Sequence, residues 1–130
     1  MQKVTGIGGV VLKAKDAKVL SAWYQEYLGI AFGDSTAATF KWINLNNPDH
    51  AGITVFSFFK ESTKYFQPGD KPFMINFRVE DLLALLEELN TKGVLIVGEV
   101  EEYEYGKFGW IMDPEGNKIE LWEPLDEKLS

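Results

Sequence analysis

The first half of the chain is echoed by the second. LKAKD (12–16) and FRVED (77–81) are short extended stretches ending in an acid, and each runs into an amphipathic helical pattern. In the first, Leu20, Trp23, Tyr24, Tyr27 and Leu28 recur at i, i+3, i+4, i+7 and i+8; in the second, Leu82, Leu85, Leu86 and Leu89 keep the same spacing. Asp16 and Asp81 stand where an N-cap must accept free backbone N–H groups, and Gly29 and Gly93 follow where a left-handed residue ends a helix. Trp42-Ile43 and Trp110-Ile111 then open WINLNNPDHAGITVF (42–56) and WIMDPEGNKIELWEP (110–124). Landmarks repeated in one order predict a duplicated fold. Each half reads strand–helix–strand–strand–strand, an α+β arrangement of two βαβββ modules. They cover about 4–60 and 72–124, joined by a polar linker at 61–71 that carries proline and glycine.

A chain of 130 residues forms one compact unit with room for one enclosed site. The net charge of −7 argues against nucleic acid, because phosphate binding needs clustered Lys and Arg. No run approaches the roughly 20 apolar residues of a membrane span. The glycine-broken N-terminal run makes a poor signal peptide, so a cytoplasmic protein is expected. Cysteine is absent, which removes disulfides, thiolate metal sites and a Cys nucleophile.

Asp113-Pro114-Glu115-Gly116-Asn117 is a turn in which proline fixes φ and Gly116 supplies the left-handed position. It closes a hairpin between about 108–112 and 118–123, with Met112 facing Lys118, Trp110 facing Glu120 and Phe108 facing Trp122. The acidic, aromatic stretch 99–109 is expected as a loop over a rim, with Tyr103 and Tyr105 as candidate gates. His50, the sole histidine, falls in a turn-rich stretch and reads as solvated; no Ser-His-Asp or zinc arrangement can be built on it. Trp23, Tyr24 and Tyr27 are assigned to helix–sheet packing. Gly6, Gly8 and Gly9 make no phosphate loop, since no strand precedes them and no helix opens directly after.

GIGGVVLKAKD, AWYQEYLGI, MINFRVEDLLALL and GWIMDPEGNKIELWEP together resemble the vicinal oxygen chelate superfamily of glyoxalase I, bleomycin-resistance proteins and extradiol dioxygenases. The resemblance implies a cup-shaped mixed sheet, often completed in a homodimer. It also implies a divalent metal held by one residue from each of four strands and chelated by adjacent substrate oxygens. The four positions carry over to Gly9, Thr54, Met74 and Glu120. Glycine has no donor, a thioether suits softer ions, a threonine hydroxyl is weak, and only Glu120 is competent. One carboxylate does not hold a labile divalent ion, so no tightly bound metal is expected; a weak Zn, Ni, Mn or Fe site at Glu120 is the alternative.

Strand alternation then predicts an aromatic bowl. Glu120 is the candidate catalytic residue, and Trp42, Thr54, Phe56, Met74, Asn76, Arg78, Trp110 and Trp122 are the candidate substrate contacts, with Phe58 on the same face. Gly9, Val11 and Lys13 should share that face. Glu120 is either a structural acid paired with Arg78 or Lys13, or a general base or contact for a cationic or donor ligand. The expected function is a glyoxalase/bleomycin-resistance-like protein that binds a small organic molecule, as a homodimer. The alternative is an enzyme of the superfamily, a lyase, isomerase or dioxygenase; a third possibility is an interaction domain with a vestigial cup.

Overall fold

The computed structural model describes residues 4–43, 45, 48–49 and 51–125. His50 lies outside them. Nine elements follow in order: β1 (Val4–Ala14), α1 (Ala17–Leu28), β2 (Ala37–Ile43), β3 (Ala51–Lys60), β4 (Phe73–Val79), α2 (Leu82–Thr91), β5 (Ile96–Tyr103), β6 (Gly106–Met112) and β7 (Lys118–Pro124). The strands form one seven-stranded mixed sheet in the order β2-β3-β1-β4-β7-β6-β5. Within each half the inner pair is parallel, β1 with β3 and β4 with β7, and the halves meet along an antiparallel β1–β4 seam. Among the described residues no helix is long and apolar enough to cross a membrane.

Both helices start and stop as their caps dictate. Asp16 accepts from the Val19 N–H and Asp81 from the Ala84 N–H, each at 3.1 Å, worth about 1 kcal/mol apiece. Gly29 closes α1 in the left-handed region at φ 70°. Both helices pack on one face of the sheet. Phe56 and Phe58 meet Leu20 and Tyr24 of α1, and Val79 and Leu121 meet Leu82 and Leu85 of α2. Full burial of a side chain such as Leu82 contributes about 2–3 kcal/mol.

The structure departs from the sequence expectations in three places. Among the described residues the first half has three strands, because residues 29–36 turn instead of extending. Gly29 and Gly33 both take positive φ, and Phe32 folds into the α1 core. Residues 99–109 are not a rim loop; they belong to the β5–β6 hairpin, whose edge strand carries the exposed glutamates Glu99, Glu101 and Glu102. Finally, Trp23 and Tyr27 do not pack against the sheet and keep 49% and 64% of their surface exposed. Of that aromatic trio only Tyr24 reaches the sheet, meeting Phe56 and Phe58 at ring-centroid distances of 5.5 and 5.3 Å.

Candidate functional site

One row of cross-strand partners runs over the middle of the sheet: Val55, Gly9, Asn76, Glu120 and Trp110. On the face away from the helices Val55, Gly9, Asn76 and Glu120 of this row border a cavity of about 520 Å³. Val11, Val55 and Phe59 line it together with Phe108 and Trp122, and Thr36, Ser57, Asn76 and Glu120 contribute polar groups. Phe108 and Trp122 stack nearly parallel at 5.8 Å, and the Trp122 indole donates to the carbonyl of Tyr105, another lining residue, at 2.9 Å.

The floor comes from the connection between the halves. Phe66 is 1% exposed and packs with Val11, Met74 and Trp110. Its neighbour Tyr65 donates its hydroxyl to Glu120 Oε2. The Trp110 indole donates to the same oxygen at 2.9 Å, and Asn76 Nδ2 donates to Oε1 at 2.7 Å. Glu120 is 7% exposed. Among the described residues its hydrogen-bond partners are these three neutral donors; the sequence expectation of a partner in Arg78 or Lys13 is not met. Lys13 instead lies over the Phe66 ring at 5.4 Å. A carboxylate offers about four acceptor positions. Three are taken, which leaves one on Oε1, and Glu120 itself lines the cavity.

The sequence-predicted residues fall into several groups. Asn76, Glu120 and Trp122 line the cavity, and Arg78 lines an outer chamber beside it. Met74 and Trp110 lie in the core beneath the cavity. Trp42 and Thr54 are tied to each other, the indole donating to the hydroxyl at 2.9 Å while that hydroxyl donates to the Ile7 carbonyl at 2.6 Å. Phe56 and Phe58 face α1, opposite the cup. The reading of β3 was therefore one residue out of phase. Glu120 pairs with Asn76, five positions before Asp81; Ser57 pairs with Val11, five before Asp16. Ser57, not Thr54, is the counterpart of Glu120 in the first half. Tyr65, Phe66, Val55 and Phe59 were not singled out; two adjacent aromatics in an otherwise polar linker were the available signal for the first pair.

These residues do not fit a divalent cation. At position 9 a Cβ would stand 2.8 Å from the Val55 carbonyl oxygen, so no ligating side chain can be placed there without moving the backbone. Ser57 offers a neutral hydroxyl, Met74 a buried thioether, and Glu120 is already taken by three donors. Among the described residues no group of three His, Cys, Asp or Glu converges.

Burial, and then the Glu120 carboxylate, push the Tyr65 phenol well above its ordinary value of 10.0. A folded-state value raised above the unfolded one gives stability that is whole below about pH 10 and drains away as the pH climbs past it. Thermal unfolding followed from about pH 8 to about pH 11 should fall more steeply for the wild type than for Tyr65→Phe. Equal slopes would show that Tyr65 is as free to ionise folded as unfolded.

Residues 6–121 match the family model of the Glyoxalase/Bleomycin resistance protein/Dioxygenase superfamily. The chain belongs to that superfamily. Solved structures agree on the fold. A methylmalonyl-CoA epimerase from Mycobacterium tuberculosis is 23% identical, with 94% of this chain and 89% of that chain covered and a TM-score of 0.59. One from Streptomyces coelicolor, in complex with 2-nitronate-propionyl-CoA, reaches a TM-score of 0.70 at 15% identity over 98% and 100%. A superfamily member from Vibrio splendidus gives 0.53 at 13% identity over 95% and 99%. No curated protein matches the sequence. Identities this low speak for the superfamily's architecture and leave the chemistry to the site.

Proposed function

We propose that this superfamily member binds a small, planar organic molecule through an aromatic cup, without a resident metal. The observation that carries the reading is a mostly apolar cavity of about 520 Å³ that ends on a nearly buried carboxylate with one acceptor position left. Apolar concavities with few convergent polar groups suit such ligands. A ligand bearing a donor, best a cationic one, completes the acceptor set of Glu120 and lays its flat body along Phe108 and Trp122.

Benzylamine, a flat ring with an ammonium group, is the simplest probe, read by quenching of tryptophan fluorescence. Val55 lies in the same cross-strand row as Glu120 and also lines the cavity. Val55→Trp should push its indole into the cup and weaken benzylamine at least about tenfold with an unchanged far-UV spectrum. Wild-type affinity in that variant would place binding elsewhere.

A second reading rests on the same open position of Oε1, which can accept a proton as well as a hydrogen bond. Glu120 is then the general base of a lyase, isomerase or other superfamily enzyme. Methylmalonyl-CoA, bound in one solved neighbour, is a probe for it. In Glu120→Gln, lost turnover with retained affinity marks an enzyme, whereas lost affinity alone marks a binding protein.

The chain is further proposed to pair with a second copy. Val19, Trp23 and Tyr27 lie along one outer side of α1, each about half exposed or more, a stripe of large apolar side chains unusual on a lone domain. Sedimentation at micromolar concentration should give twice the 14.7 kDa chain mass; a single chain mass rejects the pairing.

A further inference from the structure

The cup has a second polar end. Glu120 stands on β7 and its counterpart Ser57 on β3, with β1 and β4 between them in the sheet. Phe56 and Phe58, on either side of Ser57, face α1. Strand alternation therefore sends the serine to the cup, where it lines the same cavity as Glu120. Gly8 and Gly9 of β1 also border that cavity and put no side chain into it.

Ser57 is 6% exposed, and among the described residues its hydroxyl makes no hydrogen bond. Nor is that oxygen one of the side-chain atoms closed off inside the protein, so it opens on the cavity. A buried hydroxyl left without a partner costs about 1–3 kcal/mol, and folded proteins pair such groups. The partner of Ser57 has to come from what fills the cup. Its surroundings decide the kind of partner. Thr36 and Phe59 border both the cup and a neighbouring space of about 730 Å³. Lys15, Lys18 and Lys60 line that space against one acid, Asp16, whose carboxylate accepts the Val19 N–H. Three ammonium groups against one carboxylate make this end of the cup positive, which favours an electron-rich oxygen on the ligand over a second donor.

We infer that the ligand carries an oxygen acceptor, such as a carbonyl, at the end opposite its donor, and that the Ser57 hydroxyl donates to it. This deepens the proposed function and rests on Glu120 being a ligand contact. Ser57 then selects, among flat donor-bearing molecules, those with an acceptor at the far end.

The test uses flat amines that differ in one group. 3-Acetylbenzylamine, 4-acetylbenzylamine and 4-acetylphenethylamine offer a carbonyl at different reaches from the ammonium, and each has an isopropyl twin of the same shape without the oxygen. By titration calorimetry at least one acetyl probe should bind the wild-type chain about fivefold tighter than its twin. In Ser57→Ala that preference should vanish. Should this variant not fold, the carbonyl stretch of the probe bound to the wild type decides, and it should lie below its value in an apolar solvent. No preference for any acetyl probe, an unshifted stretch, or a preference that survives in Ser57→Ala overturns the inference and leaves the cup reading standing. If neither these amines nor benzylamine bind, the reading of Glu120 as a ligand contact falls and the inference with it.

Discussion

Glu120→Leu should lower the unfolding free energy by about 4 kcal/mol, and Glu120→Gln by about 1 kcal/mol. The difference comes from what is left unpaired. Leucine fills most of the carboxylate's space with carbon, so the Trp110 indole and Asn76 Nδ2 keep their burial and lose their acceptor. Each orphaned buried donor costs about 1–3 kcal/mol. The Tyr65 hydroxyl can turn to water, since that side chain keeps 39% exposure, and adds less. Glutamine retains one carbonyl for the Trp110 and Tyr65 donors. Its amide can face Asn76 if Asn76 turns its own carbonyl inward, a rearrangement that also uses Asn76 Oδ1, which is buried without a hydrogen-bond partner. Losing the charge, whose hydrogen-bond partners among the described residues are all neutral, offsets part of either cost. Denaturant unfolding of the three proteins decides it. A leucine variant as stable as the glutamine one would mean that the donors do not depend on Glu120.

Phe66→Ala should cost about 3–5 kcal/mol, as large-to-small changes in packed cores do. The residue lies in what the sequence presents as a polar connection, and a connection that merely spans two modules would tolerate the change within about 0.5 kcal/mol. Phe66 instead packs with Val11, Met74 and Trp110, on strands from both halves, beneath Lys13. Its loss should leave a cavity under the cup that little can fill, because Met74 and Trp110 are held by the sheet. Equilibrium unfolding reads the size of the effect; a change below about 1 kcal/mol would remove the segment from the core.

The helices, their caps, the β6–β7 register and the placement of Glu120 on the cup face were legible, because each follows from a local rule. Met112–Lys118, Trp110–Glu120 and Phe108–Trp122 pair as the five-residue turn requires. β3 was misread for a reason its residues make plain. Ile53, Val55 and Phe59 alternate with Thr54, Phe56 and Phe58, so both faces are apolar and a period of two cannot say which one meets the helix. Only the parallel pairing with β1 settles it, and a contact between strands more than forty residues apart leaves no trace in either strand alone. Trp23 and Tyr27 show the converse. Helical spacing identified them as a stripe but not which stripe the sheet would cover. Tyr65 and Phe66 act through tertiary contacts that no period announces.

The two margins of the sheet differ in a way that bears on how copies could grow onto one another. β5 carries Glu99, Glu101 and Glu102, all exposed, along a border paired on one side only. Bringing two such borders together would set like charges face to face. β2, at the opposite border, carries Lys41 as its sole ionisable group among Ala, Thr, Phe, Trp and Ile. Charge thus opposes backbone addition more heavily at the β5 border, with three glutamates, than at the β2 border, where Lys41 alone does so.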